Sequence, residues 1–131
     1  MITPKTEWMM KLQSEWNSNE ELIQDLKNLS TTLIIGVSDN PELHPLFFRI
    51  ESGRLTEVRP AQPEEIAEFR CEAPTNVWRE LISGRSNPIV ALMSGDLKLK
   101  GPMMKAMKYM GALTKFVRKL DTETFLESLG G

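Results

Sequence analysis

Residues 87–120, NPIVALMSGDLKLKGPMMKAMKYMGALTKFVRKL, carry three elements in direct succession. Asn87 is placed to cap a helix whose first position is Pro88, where the missing N–H costs nothing. Ile89, Val90, Leu92 and Met93 give that helix its apolar residues, and Gly95 supplies a left-handed stop. Leu97 and Leu99 then alternate with Lys98 and Lys100, the pattern of a half-buried strand. Gly101-Pro102 ends the strand and opens a long helix, with Pro102 expected at its first position and its end near Leu120.

That long helix is rich in methionine. Met103, Met107, Met110, Leu113 and Val117 fall on one face at helical spacing, widened by Met104, Ala106 and Phe116. Lys105, Lys108, Lys115 and Lys119 fall on the other side. Met is unbranched and polarizable, so a Met wall can close around guests of differing shape. Periodicity alone reads such a stripe as core packing more readily than as a binding wall.

Working outward, the chain reads as one domain over residues 1–131. Apolar residues at 40% and charged residues at 26% suit a globular protein, and no apolar run reaches the ~18 residues that span a bilayer. The first residues lack a basic stretch followed by an apolar block, so they do not read as a secretory signal. One cysteine, Cys71, excludes an internal disulfide and suits a reducing cytoplasm. Seven of the 16 basic residues lie within 98–119 with no acid among them, leaving nine against 18 acids elsewhere. Such a run is either a solvated helix face or a patch for anionic lipid heads or the phosphates of an acyl-CoA. Nucleic acid is a poor fit: the chain is acidic overall, and aromatic residues do not interleave with the basic run.

Trp8, Met9, Leu12 and Trp16 predict an amphipathic helix opened by Thr3-Pro4. Ser18-Asn19-Glu20-Glu21 has the form of a capping box before Leu22, Ile23, Leu26 and Leu29. Strands follow at 33–37 and 46–51, the latter turning at Ser52-Gly53 into a hairpin partner. Ala67, Phe69, Cys71 and Ala73 alternate with Glu68, Arg70 and Glu72, giving a one-sided strand on which the acids form a solvated face. Val77, Trp78, Leu81 and Ile82 give a short helix closed by Gly84. A last turn is expected over 121–131, carrying Phe125 and Leu129. Five mostly antiparallel strands with helices on one face make the class α+β.

Trp78-Arg79-Glu80-Leu81-Ile82-Ser83-Gly84, then Asn87-Pro88, Ala91-Leu92-Met93-Ser94-Gly95 and Gly95-Asp96-Leu97-Lys98-Leu99-Lys100-Gly101, resemble the sterol carrier protein 2 (SCP-2) family, and the order of elements upstream agrees. The resemblance implies a five-stranded twisted sheet covered by helices, an apolar tunnel between them, and carriage of a fatty acid, fatty acyl-CoA or sterol-like lipid. It does not extend to a peroxisomal tripeptide, because the chain ends Leu129-Gly130-Gly131.

Little else in the sequence suggests chemistry. His44 is the only histidine and reads as structural; Cys71 reads as a small core residue; one His and one Cys cannot build a tetrahedral zinc site. No cofactor and no catalytic residue is expected, and the chain reads as a carrier rather than an enzyme. The candidate lipid wall comprises Ile35, Phe48, Phe69, Ile82, Val90, Met93, Leu97, Leu99, Met103, Met107, Met110 and Phe116, with Trp78 either wall or plain core. Lys98, Lys100, Lys105 and Lys108 are candidates for headgroup or membrane contact. The alternative is an interaction or enzyme-accessory module whose Met face docks a partner or delivers an apolar substrate.

Overall fold

A computed structural model describes residues 6–42 and 44–118. Helices α1 (Thr6–Ser18) and α2 (Glu20–Asp25) lead into strand β1 (Thr31–Val37). The hairpin β2 (Leu46–Glu51) and β3 (Arg54–Pro60) follows, then β4 (Phe69–Ala73), α3 (Thr75–Ile82), α4 (Pro88–Ser94), β5 (Lys98–Lys100) and α5 (Met103–Val117). The sheet order is β3-β2-β1-β4-β5, so the class is α+β as expected. The pairing of β1 with β4 is parallel, and the rest are antiparallel.

The hairpin turns at Ser52 and Gly53, both with positive φ, which matches the twist of the flanking strands. A Cβ on Gly53 would lie 2.7 Å from the Ile23 carbonyl oxygen, so the tip packs directly on α2. The Trp16 indole donates to Gly53 O at 2.9 Å. Along the edge strand β3, the Asn17 amide both donates to Leu55 O and accepts from Leu55 N. A helix side chain thus satisfies an edge that would otherwise invite another strand.

All five described helices contribute to one core with the sheet's inner face; Met9, Trp16, Leu22, Ile82, Ala91 and Phe116 are buried there with Leu46, Phe48 and Ile50. The outer face is covered differently. The connection from β3 to β4 packs Ala61 and Ala67 on Ile34 and Phe47. Arg49 and Arg59 stand over the Phe47 ring, at 5.4 and 4.2 Å from its centroid. Arg59 also pairs with Glu57 and Glu65. Its hydrogen bond, helped by the Gln62 amide, holds the Glu65 carboxyl at about 2. His44 Nε2 donates to Ala61 O at 2.6 Å, a structural role.

Several local expectations shift. Asn19, not Ser18, caps α2, accepting from Leu22 N, while the Ser18 hydroxyl donates back to Ser14 O. Strand β4 begins at Phe69, so Ala67 belongs to the crossing segment and packs on the outer face instead of the inner. The acids do not form one solvated face: Glu65, Glu68 and Glu72 pair with Arg59, Lys105 and Arg70. Pro102 is the N-cap of α5 and not its first residue, so the helix begins one residue later than expected, at Met103. Asn87 and Gly95 do cap α4, and Gly95 takes φ +86°. The expected cap at Thr3-Pro4, the end of the long helix at Leu120 and the turn over 121–131 lie outside the described residues.

Candidate functional site

Between the inner face of the sheet and helices α3 to α5 lies a cavity of about 180 Å³, partly open to solvent. Strand parity builds its floor. Thr31, Leu33 and Ile35 of β1 share one face, as do Phe69 and Cys71 of β4, and Leu99 continues that face on β5. Trp78, Leu81 and Ile82 of α3 close one wall, and the Trp78 indole is fixed by donating to Gly36 O at 3.0 Å. Ala106, Tyr109, Met110 and Leu113 of α5 form the opposite wall.

Six of the sequence candidates line this cavity: Ile35, Phe69, Ile82, Leu97, Leu99 and Met110. The other six sit elsewhere. Phe48 is buried in the core, and Phe116 stacks edge-on against Trp16 at 5.2 Å between centroids. Val90, Met93, Met103 and Met107 are exposed, Met93 to 85%. The physical reason lies in the orientation of α5. Its inward arc runs through Ala106, Tyr109, Met110 and Leu113 to Phe116, while Met103, Met104 and Met107 face out. Packing of Phe116 against Trp16 fixes that rotation, and a Met stripe does not announce it. Tyr109, the only tyrosine, was the available signal for the inward arc.

Of the candidate lysines, only Lys105 lines the cavity. Its ammonium donates to Glu68 Oε1 at 2.8 Å and to Ser30 O at 3.2 Å. Thr31 Oγ1 donates to the same Glu68 oxygen. Lys105, and next the Thr31 hydroxyl, hold the Glu68 carboxyl below the usual carboxylate range. Lys98 and Lys100 are exposed on β5, pointing away from the cavity that Leu99 faces. Lys108 is exposed, its ammonium 5.4 Å from the Tyr109 ring centroid.

Burial, and to a smaller degree the neighbouring Glu72 charge, pushes the Cys71 thiol up to about 12. It therefore stays protonated and unreactive, an apolar lining atom in effect. No group of His, Cys, Asp and Glu able to hold a metal occurs among the described residues. No helix among them is long and apolar enough to cross a membrane. The arrangement can enclose an apolar guest and offer it one cation at the rim.

Residues 10–114 match the SCP-2 sterol transfer family. A crystal structure of sterol carrier protein 2 is 24% identical, with a TM-score of 0.76, covering 89% of this chain and 98% of that one. A solution structure from Thermus thermophilus, of a protein described as possibly a sterol carrier protein, is 24% identical with a TM-score of 0.74, covering 91% and 90%. The sec-alkylsulfatase of a Pseudomonas species contains the fold as a part: 18% identity, TM-score 0.53, covering 69% of this chain and 14% of the enzyme. No curated protein matches the sequence.

Proposed function

Since the chain belongs to the SCP-2 sterol transfer family, we propose that it is a non-catalytic carrier of an apolar lipid, a fatty acid, fatty acyl-CoA or sterol-like molecule held in the cavity. The observation that carries this reading is the cavity itself, walled almost wholly by carbon, with Lys105 the only charged residue lining it among the described residues. The lipid rests on Ile35, Phe69, Ile82, Leu97, Leu99 and Met110. Phe48 and Phe116 back the wall from the core. Val90, Met93, Met103 and Met107 act from outside, together with Lys98, Lys100 and Lys108, in transient contact with an anionic membrane surface. A reducing cytoplasm suits the free thiol of Cys71.

Magnitudes support binding without covalent help. A chain of about sixteen carbons would gain about 12 kcal/mol gross if wholly buried, at ~0.8 kcal/mol per CH₂; a cavity of about 180 Å³ encloses only part of such a chain, and the rest runs out through the open mouth. Lost translation and flexibility take back part of that, and micromolar affinity needs only about 8 kcal/mol net.

Native mass spectrometry of the purified protein, followed by solvent extraction, tests this. A co-purified lipid, or uptake of added fatty acid or acyl-CoA, is expected; a protein that takes up neither overturns the carrier reading. A second reading draws on the exposed apolar residues of α4 and α5, Val90, Met93 and Met104 among them. They suit a module that docks a partner enzyme and presents an apolar substrate to it. Concentration-dependent size without lipid uptake favours that reading.

A further inference from the structure

Three groups meet at the rim of the cavity where β1, the start of β4 and the first turn of α5 converge. Lys105 and Thr31 both line the cavity, and both donate to a single acceptor, Glu68 Oε1, whose residue does not line it. The carboxylate thus approaches the two donors from outside, while the cavity approaches them from within. An ammonium has three protons; Glu68 and Ser30 O take two of them. Helix α5 also begins here without a side-chain cap, so its positive end faces no competing acceptor of that kind. The side chains of Lys105 and Glu68 are 32% and 35% exposed, which leaves the seat reachable from water.

We propose that Lys105 and Thr31 form the seat for the anionic head of the carried lipid, a single carboxylate, and that Glu68 is a built-in competitor for that seat. This deepens the carrier reading and rests on it. A neutral head has nothing comparable to gain, because the other described side chains that line the cavity offer only a thiol, an indole, a phenol and the Thr114 hydroxyl. A carboxylate placed anywhere else along the wall would lose its water without gaining a cation, which is costly. A head of higher charge, such as a phosphate, would meet Glu68 with only one lysine to offset it. The seat therefore selects a fatty acid over the alcohol of the same length. Its unusual feature is that deleting a charge should tighten binding: with Glu68 neutral, Lys105 is released to the ligand.

Calorimetric titration with laurate and with dodecanol tests both halves, using the intact chain and the variants K105M and E68Q. The intact chain is expected to bind laurate about tenfold or more above dodecanol, the range of a charged hydrogen bond. K105M should abolish that preference while leaving dodecanol binding in place, which also reports an intact cavity. E68Q should strengthen laurate severalfold and leave dodecanol unchanged. Equal binding of the two ligands, or a preference that survives K105M, overturns the seat and leaves the carrier reading standing. Weaker laurate binding by E68Q overturns the competitor role. Dodecyl phosphate bound above laurate would assign the seat to phosphate and overturn the carboxylate choice. Uptake of none of these by the intact chain overturns the carrier reading itself.

Discussion

Gly101 shows how narrowly a single residue can be constrained. Its φ of +138° lies where side chains are disfavoured. A Cβ there would stand 2.5 Å from Phe69 Cδ1 and 2.7 Å from Glu68 O. Phe69 floors the cavity and Glu68 holds Lys105, so the clash falls on the site as well as on the turn. Gly101→Ala is expected to cost about 2 kcal/mol or more, the combined order of backbone strain and overpacking. A urea melt reads this as a lower midpoint at unchanged slope; an unchanged midpoint would show that the contact yields easily. The glycine was legible in the sequence as the end of a strand. Its contact with Phe69 was not, because the two are far apart in the chain and meet only once β4 and β5 are in register.

At the scale of elements, α5 holds the opposite case. Gly111 sits in the interior of the helix, exposed, with nothing within 4 Å of where a Cβ would stand. No close approach explains it. Gly111→Ala should therefore stabilise the protein by about 0.5–1 kcal/mol through helix propensity alone, raising the thermal midpoint; a fall would reveal a use for the glycine. The elements themselves were largely written in local pattern. Asn87-Pro88 and Gly95 bracket α4, and alternation finds β2 and β5. What pattern did not decide is which way α5 turns. Its apolar residues spread widely around the helix, so several rotations satisfy the periodicity equally. The choice is made by tertiary contacts, Phe116 on Trp16 and the Lys115 ion pair with Glu21. Half of the expected wall lies away from the cavity, the α5 residues among it for that reason.

Across the whole molecule, the fold class could be read from element order, while the parallel pairing of β1 with β4 could not. Nothing local distinguishes β4 inserted beside β1 from β4 appended to the hairpin. That insertion sends the 61–68 segment across the outer face and sets β4 and β5 beneath α5, and so it makes both the second small core and the cavity. The seat at Lys105 depends on the same topology, since Ser30, Thr31 and Glu68 lie at the starts of two strands, β1 and β4, that are adjacent only because of the crossover.

The outward turn of the Met-rich helix also grades the access of oxidants to the methionines. Thioether sulfur accepts one oxygen to become a polar sulfoxide, at a rate set by access. Met104 and Met93 are 87% and 85% exposed, Met10 66%, and Met103 and Met107 just under half, whereas Met9 is 6% exposed and Met110 belongs to the cavity wall. Under dilute peroxide, peptide mass spectrometry should find sulfoxide at Met104, Met93 and Met10 first and at Met9 last. Met110 should slow selectively when a guest fills the cavity. An order indifferent to exposure would contradict the orientation of α5. The exposed thioethers of α4 and α5 can thus be oxidised ahead of the interior, leaving the cavity wall chemically intact while the surface around it turns polar.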